Sequence, residues 1–386
     1  MEPDLKPATD EQRLPSAEVA ARLPQPAPLH DRDFDWIFIG PHGLRVGWSL
    51  LLFAGLYCLF REVVGTLFFA AGLIHDTPPD SAGAVLIAEL VPFLSLVAAA
   101  LVMILIEDTS IDRRIQRYNL AGPRRVPHFL SGLAAGFIAI SLLVAALAWS
   151  GWLRIAPSAL PTSAAIRLGA LWIAAFLVVA SVEEGLFRCY ALSTLTRGVN
   201  FWWALAAQIA ICCYMALDTE RHGAWGVYLA AALGFFPCLA LHQSAAARSA
   251  AFWQAAWVTS TFFGFFHTSN GGENWIGVFA AAAIGFIFCV SVFVTGSAWW
   301  AIGCHAAWDW AETFFYGTAD SGQQGQGHLL SATPAGNSLW SGGADGPEGS
   351  LLVLGAILFL LLVLLGFYRR GNSASPDASA TAQQLD

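Results

Sequence analysis

The chain has a single lysine, Lys6, and only 12% of its 386 residues are charged, about half the roughly 25% of an ordinary soluble domain. That scarcity excludes a soluble globular protein. Its 19 basic residues are outnumbered by 27 acidic ones, so there is no basic stripe to follow a phosphate backbone, and nucleic acid is not an expected partner. Metal-ligand spacings are missing as well. There is no CxxC or Cys/His cluster and no HExxH zinc-peptidase motif, and neither a GxSG serine loop nor a GxGD aspartyl motif lies in an apolar stretch. Cys58, Cys189, Cys212, Cys213, Cys238, Cys289 and Cys304 all fall in apolar stretches, where buried free thiols are expected rather than disulfides. No short apolar core with a small-residue cleavage site precedes the first long apolar run, so a removable signal peptide is not expected.

What the chain has in abundance is hydrocarbon: 56% of residues are hydrophobic and the mean hydropathy is +0.58. A bilayer core of about 30 Å needs about 20 apolar helical residues. Ten segments approach that length: 46–71, 83–107, 128–151, 164–196, 199–217, 223–242, 252–268, 274–295, 297–316 and 350–369. The expected fold is an all-α, polytopic transmembrane helix bundle of about ten spans, with lipid as its principal partner. An even count puts both termini on one side. With the N-terminus inside, 14 of the 19 Lys and Arg residues fall on inner segments, which the positive-inside rule favours. This predicts an integral protein of a cytoplasmic-type (inner) membrane with cytoplasmic N- and C-termini. Trp202, Trp203, Trp253, Trp275, Trp299 and Trp300 lie near predicted helix ends, as interfacial anchors do.

The domain reading follows from composition. Residues 1–45 form a Pro-rich arm, 46–163 the N-terminal transmembrane helices, 317–349 a Gly/Ser-rich outer loop, 350–370 the last transmembrane helix and 371–386 a polar tail. The arm, the loop and the tail lack the apolar content for a core, so disorder or loose packing is expected of them. No internal repeat of the transporter type is evident.

Ionisable residues inside spans cost about 2.5–3.5 kcal/mol each on insertion scales and are functional candidates by default. The densest group is SVEEGLFR, with Glu183, Glu184 and Arg188. Glu184 and Arg188 are spaced i,i+4 and can pair on one face, whereas Glu183, turned about 100° away, lacks that partner. The second group, FFGFFHTSN, carries Phe263 and His267, and the third, HAAWDWAE, carries His305 and Asp309, both again at i,i+4. At about 1.5 Å per residue from the inner helix ends, Glu183 and Asp309 lie about 18 Å deep, His267 about 22 Å and His305 about 12 Å. Three helices thus bring polar groups to one mid-membrane band. A carboxylate beside a histidine can hold and deprotonate a water, and a second histidine with a carboxyl or amide can donate to the oxyanion on a scissile carbonyl. Glu183, His267, His305 and Asp309 supply both halves of a peptide hydrolase. Glu89, Arg61, Glu62 and Glu312 read as helix-pairing or interfacial residues.

In this order the three motifs resemble the CPBP family of CAAX proteases and bacteriocin-processing enzymes, also called Abi, of intramembrane glutamic endopeptidases. EExxxR reads Glu183 to Arg188, followed by Tyr190; FxxxH reads Phe263 to His267 and extends through Asn270 and Gly271; HxxxN or HxxxD reads His305 to Asp309. The likeness covers about residues 164–316, with two extra helices inserted near 200–243. It implies Glu183 as the water-activating base, His267 as its partner, His305 and Asp309 as oxyanion stabilisers, and Glu184, Arg188 and Phe263 in support, with no metal or other cofactor. Where many members have Asn this chain has Asp309, and an ionised carboxylate would repel an oxyanion, so the role requires an Asp that is protonated or tied to His305. Cys189 stands where Gly is frequent, a difference of packing. The substrate implied is a membrane-associated peptide or protein, prenylated or not. Two alternatives come from other classes: a non-catalytic scaffold or immunity protein that keeps the fold, and a proton-coupled transporter. A divalent ion held by the two histidines and the carboxylates is a further rival.

Overall fold

The structure, a computed structural model, describes residues 35–40, 43–75, 79–107, 111–122, 124–217, 228, 231–232, 234–235, 238–240, 242–243 and 247–373. The N-terminal arm up to residue 34, most of the expected sixth segment at 223–242 and the tail from 374 lie outside the described residues. The apolar runs form helices because a backbone surrounded by hydrocarbon must bond to itself, and a helix does so within one segment. In chain order they are α1 (Val46–Ala70), α2 (Ala82–Ile106), α3 (Arg125–Trp149), α4 (Thr162–Thr196), α5 (Phe201–Leu217), α6 (Ala247–His267), α7 (Trp275–Thr295), α8 (Trp299–Trp310) and α9 (Val353–Ser373). Five of them, α1, α2, α3, α4 and α7, are long and apolar enough to cross a membrane. The protein is an integral membrane protein and mostly helical.

The short helix α8 sits at the centre. Trp300, Ala301, Ile302, Gly303, Cys304, Ala306, Ala307 and Trp308 are all buried. Its approach to α3 depends on glycine. A Cβ on Gly132 would lie 2.1 Å from the Trp300 carbonyl oxygen, one on Gly136 2.1 Å from that of Cys304, and one on Gly303 2.3 Å from that of Phe129. Small residues four apart let the two backbones touch, the usual device where lipid offers no hydrophobic drive for helix association. The packed core continues from α3 and α8 into α7 and α9 through Ile140, Leu143, Ile284, Phe288 and Leu360.

Both helices that carry the first and third motifs loosen into π-helix, within the first motif and just beyond the third. In α4 the π segment is Gly185–Ala191, and α8 runs on into Ala311–Tyr316. Each wide turn holds an extra residue, a feature found often at functional sites.

Residues 317–349, expected to be loosely packed, are folded. Leu330–Pro334 pairs antiparallel with Leu153–Pro157, the strand that follows α3. Ala332, Ser341 and Asp345 are buried. The segment also caps α7. Asp345 Oδ2 accepts from the Asn274 backbone N–H at 3.0 Å, while Asn274 Oδ1 accepts from the N–H groups of Ile276 and Gly277 at 2.8 and 3.3 Å. Backbone pairing and side-chain caps order a stretch whose apolar content alone would not.

Two further expectations are corrected. All seven cysteines are free, yet Cys58 and Cys213 are exposed on helix surfaces rather than buried, since apolar positions on an outer face turn toward lipid. Trp300 is fully buried and meets Phe288 edge-on at 6.4 Å, so it is core and not an anchor. Trp202 and Trp203 remain largely exposed.

Candidate active site

A cavity of about 370 Å³ opens among α2, α4, α6, α7, α8 and the 317–349 segment. Glu183, His267, His305 and Asp309 all line it. Four side chains from three helices therefore share one polar hollow.

A fully buried ion pair lies behind its wall. Arg188 and Glu184 are both fully buried; Arg188 Nη1 donates to Glu184 Oε1 at 3.4 Å, and its Nε lies 3.2 Å from Oε2. The guanidinium is held over the Phe263 ring at 4.3 Å, a cation–π contact strengthened by exclusion of water. Phe288 flanks it at 5.5 Å. A Cβ on Gly285 would stand 2.5 Å from Arg188 Nη2, so α7 makes room for the ion pair. Asn119 Nδ2 donates to the Arg188 carbonyl at 2.8 Å, satisfying a backbone group in the π turn.

His305 joins this pair to the cavity. Its Nδ1–H donates to Glu184 Oε1 at 2.9 Å, because a carboxylate can only accept. That bond fixes the ring, which stacks on Phe288 with centroids 5.8 Å apart. Nε2 then faces two carboxylates, Asp309 Oδ2 at 3.4 Å and Glu183 Oε2 at 3.7 Å. The second distance exceeds a hydrogen bond, and Glu183 Oε2 has no hydrogen-bond partner. Glu183 thus presents an uncommitted carboxylate oxygen to the hollow, whereas Glu184, read as support, is the residue that orients His305.

On α6 the His267 Nδ1 lies 2.9 Å from the Phe263 carbonyl oxygen, one turn back on its own helix. Since a carbonyl accepts, a proton sits on Nδ1, and Nε2 is the ring nitrogen left for another partner. The i,i+4 spacing of FxxxH therefore commits Nδ1. Phe263 packs edge-on against Phe187 at 5.2 Å, tying the second motif to the first.

The structure adds cavity residues that sequence reasoning left without chemistry. Glu89 on α2 lines the wall; its signal was a lone carboxylate inside a long apolar run. Glu312 is fully buried, with neither carboxylate oxygen bonded, and so is neither interfacial nor paired. Asp320, Gln323, Gln324 and Glu348 close the mouth, and nothing in their Gly-rich surroundings marks them. Among the described residues, the group of carboxylate, His or Cys ligand atoms close enough to share a metal ion is Glu312, Asp320 and Glu348, not the three motifs.

Residues 235–311 match the family model for Type II CAAX prenyl endopeptidase Rce1-like proteins. This family match agrees with the resemblance of the motifs to CAAX proteases. The match spans His267, His305 and Asp309 and begins after Glu183, Glu184 and Arg188, so the first motif reaches the Rce1-like region through space, by way of the His305–Glu184 bond. No curated protein and no solved structure matches the chain.

Proposed function

We propose that the protein is an intramembrane, metal-independent glutamic endopeptidase of the CAAX-protease type, hydrolysing a peptide bond near the end of a membrane-associated, prenylated or unprenylated, substrate. The observation that carries this reading is that the side chains of all three motifs line one cavity. Glu183, with a free carboxylate oxygen, takes a proton from the attacking water. His267, through Nε2, orients that water and shares the proton. As the water oxygen bonds to the scissile carbonyl carbon, negative charge develops on the carbonyl oxygen. His305 donates to it from Nε2 while Nδ1 stays with Glu184, and a protonated Asp309 is the second donor. Collapse breaks the C–N bond, and the proton first taken from water passes to the leaving amine. Base catalysis of this kind contributes about 10²–10⁴-fold, and a preorganised oxyanion donor about 10²–10³.

The bundle in this reading has about ten spans, the shorter helices α5, α6, α8 and α9 crossing with the long ones. Both termini lie on the Arg-rich cytoplasmic side of an inner-type membrane; reporter fusions at each loop test the arrangement.

The activity is tested by incubating purified full-length protein with lipidated and unlipidated peptides and locating cuts by mass spectrometry. Cleavage that persists in 1,10-phenanthroline and disappears in Glu183→Gln supports the reading. Cleavage retained in Glu183→Gln, His267→Ala and His305→Ala alike overturns it.

A further inference from the structure

At the mouth of the cavity, on the side of the 317–349 segment, three carboxylates converge from separate pieces of chain. Glu312 comes from the π turn after α8, Asp320 from the following loop and Glu348 from the short 3-10 turn Pro347–Gly349. One oxygen of each lies within 4.8 Å of the others. Glu312 is wholly shielded from solvent, and both of its carboxylate oxygens lack a hydrogen-bond partner. A carboxylate in that position is strongly disfavoured unless a positive charge or a proton balances it. From Glu312 to Glu348 there is no lysine or arginine, and the neighbouring charges that act on Glu312 are Asp309, Asp320, Asp345 and Glu348, all of one sign.

From this geometry we propose that Glu312, Asp320 and Glu348 bind a divalent cation, Ca²⁺ in preference to smaller ions. Ca²⁺ takes oxygen ligands at about 2.3–2.6 Å, so oxygens up to about 5 Å apart reach one ion, whereas Mg²⁺ at about 2.0–2.1 Å draws them to about 4 Å or less. An all-oxygen donor set also disfavours the softer metals. The outlying ligands are held in place by hydroxyls: Thr313 Oγ1 donates to Asp320 Oδ2 at 3.2 Å, and Ser321 Oγ to Glu348 Oε2 at 3.0 Å. Asp320 and Glu348 line the cavity, which gives the ion a path in. Bound there, it clamps the 317–349 segment to the end of α8 and fixes the rim around Asp309. The site does not depend on hydrolysis taking place.

The test uses purified full-length protein in detergent, stripped with a chelator and dialysed, then titrated with CaCl₂ or MgCl₂ by calorimetry and by thermal unfolding. The expected result is one Ca²⁺ per chain, a melting temperature raised by several degrees, and Mg²⁺ binding at least tenfold weaker. Asp320→Asn and Glu348→Gln, which keep shape near the surface, each weaken Ca²⁺ binding more than tenfold, and Glu312→Gln abolishes it. The proposal is overturned by wild-type protein that shows no saturable Ca²⁺ binding up to about 10 mM, above the weakest known protein modules. It is equally overturned by Asp320→Asn and Glu348→Gln proteins that bind as the wild type does; a protonated Glu312 would then account for the cluster.

Discussion

Replacing Gly136 by alanine adds one methyl group in the contact between α3 and α8. Its Cβ would lie 2.1 Å from the Cys304 carbonyl oxygen, and ordinary contact begins at 3.4 Å. Both atoms are anchored to helix backbone, so no side chain can swing aside and the helices must part by more than an ångström. Overpacking of this kind costs about 1–3 kcal/mol. His305 follows Cys304 directly, and its bond to Glu184 is 2.9 Å long; an ångström of displacement takes it past the hydrogen-bond limit of about 3.5 Å. A misplacement of that size lowers turnover by about 10²-fold. Gly132→Ala makes the same clash one turn away, at the Trp300 carbonyl. The two variants should therefore lose similar stability, read from thermal unfolding in detergent, while Gly136→Ala loses far more peptide cleavage. If Gly136→Ala melts with the wild type and cleaves at its rate, the close approach is not what positions His305.

Several other outcomes can be measured directly. Glu183→Gln and His267→Ala should each reduce cleavage by about 10²-fold or more, with the melting temperature within a degree or two of wild type, because neither side chain anchors a helix contact; a large drop in melting temperature would make them structural. Glu184→Gln strands Arg188 in a fully buried site and should cost about 3–5 kcal/mol, seen as a loss of folded protein on size exclusion, whereas a joint Glu184→Gln, Arg188→Met replacement should recover much of it. Burial, with Asp345 and Glu348 adding to it, pushes the Glu273 carboxyl up from 4.5 to about 9. The folded state then holds a proton that the unfolded chain releases, so stability is full below about 4.5 and declines as pH rises through this window. Melting temperatures from pH 5 to 9 should fall less steeply in Glu273→Gln, and identical slopes would refute the assignment.

Sequence and structure agree best where an apolar run dictates a single solution. The boundaries expected for the helices fall close to those of α1 to α4 and α7, because the cost of unpaired backbone in lipid leaves little freedom. The gathering of Glu183, His267, His305 and Asp309 was legible for a related reason: charge in a span is tolerated where it can be shared. Local pattern could not reveal the order of residues 317–349. Leu330–Pro334 finds its partner strand far back in the chain, at Leu153–Pro157, and Asp345 finds the Asn274 backbone at the start of α7. Nor could it separate Glu183 from Glu184 in detail. Helical phase showed which could pair with Arg188, but that Glu184 also holds His305 depends on how α4 meets α8.

The widened turn at Gly185–Ala191 makes chain length itself a control on geometry. Removing one residue from that stretch would let it tighten to ordinary helical pitch, which erases the extra residue of the wide turn and leaves the helix beyond Ala191 nearly in phase. A deletion ahead of Arg188 would set it three residues from Glu184 in place of four, and Tyr190, whose hydroxyl reaches the Ser49 carbonyl at 2.8 Å, would lie on an ordinary turn. Point substitutions here leave the wide turn in place, but a single-codon deletion would remove the turn that shapes the first motif.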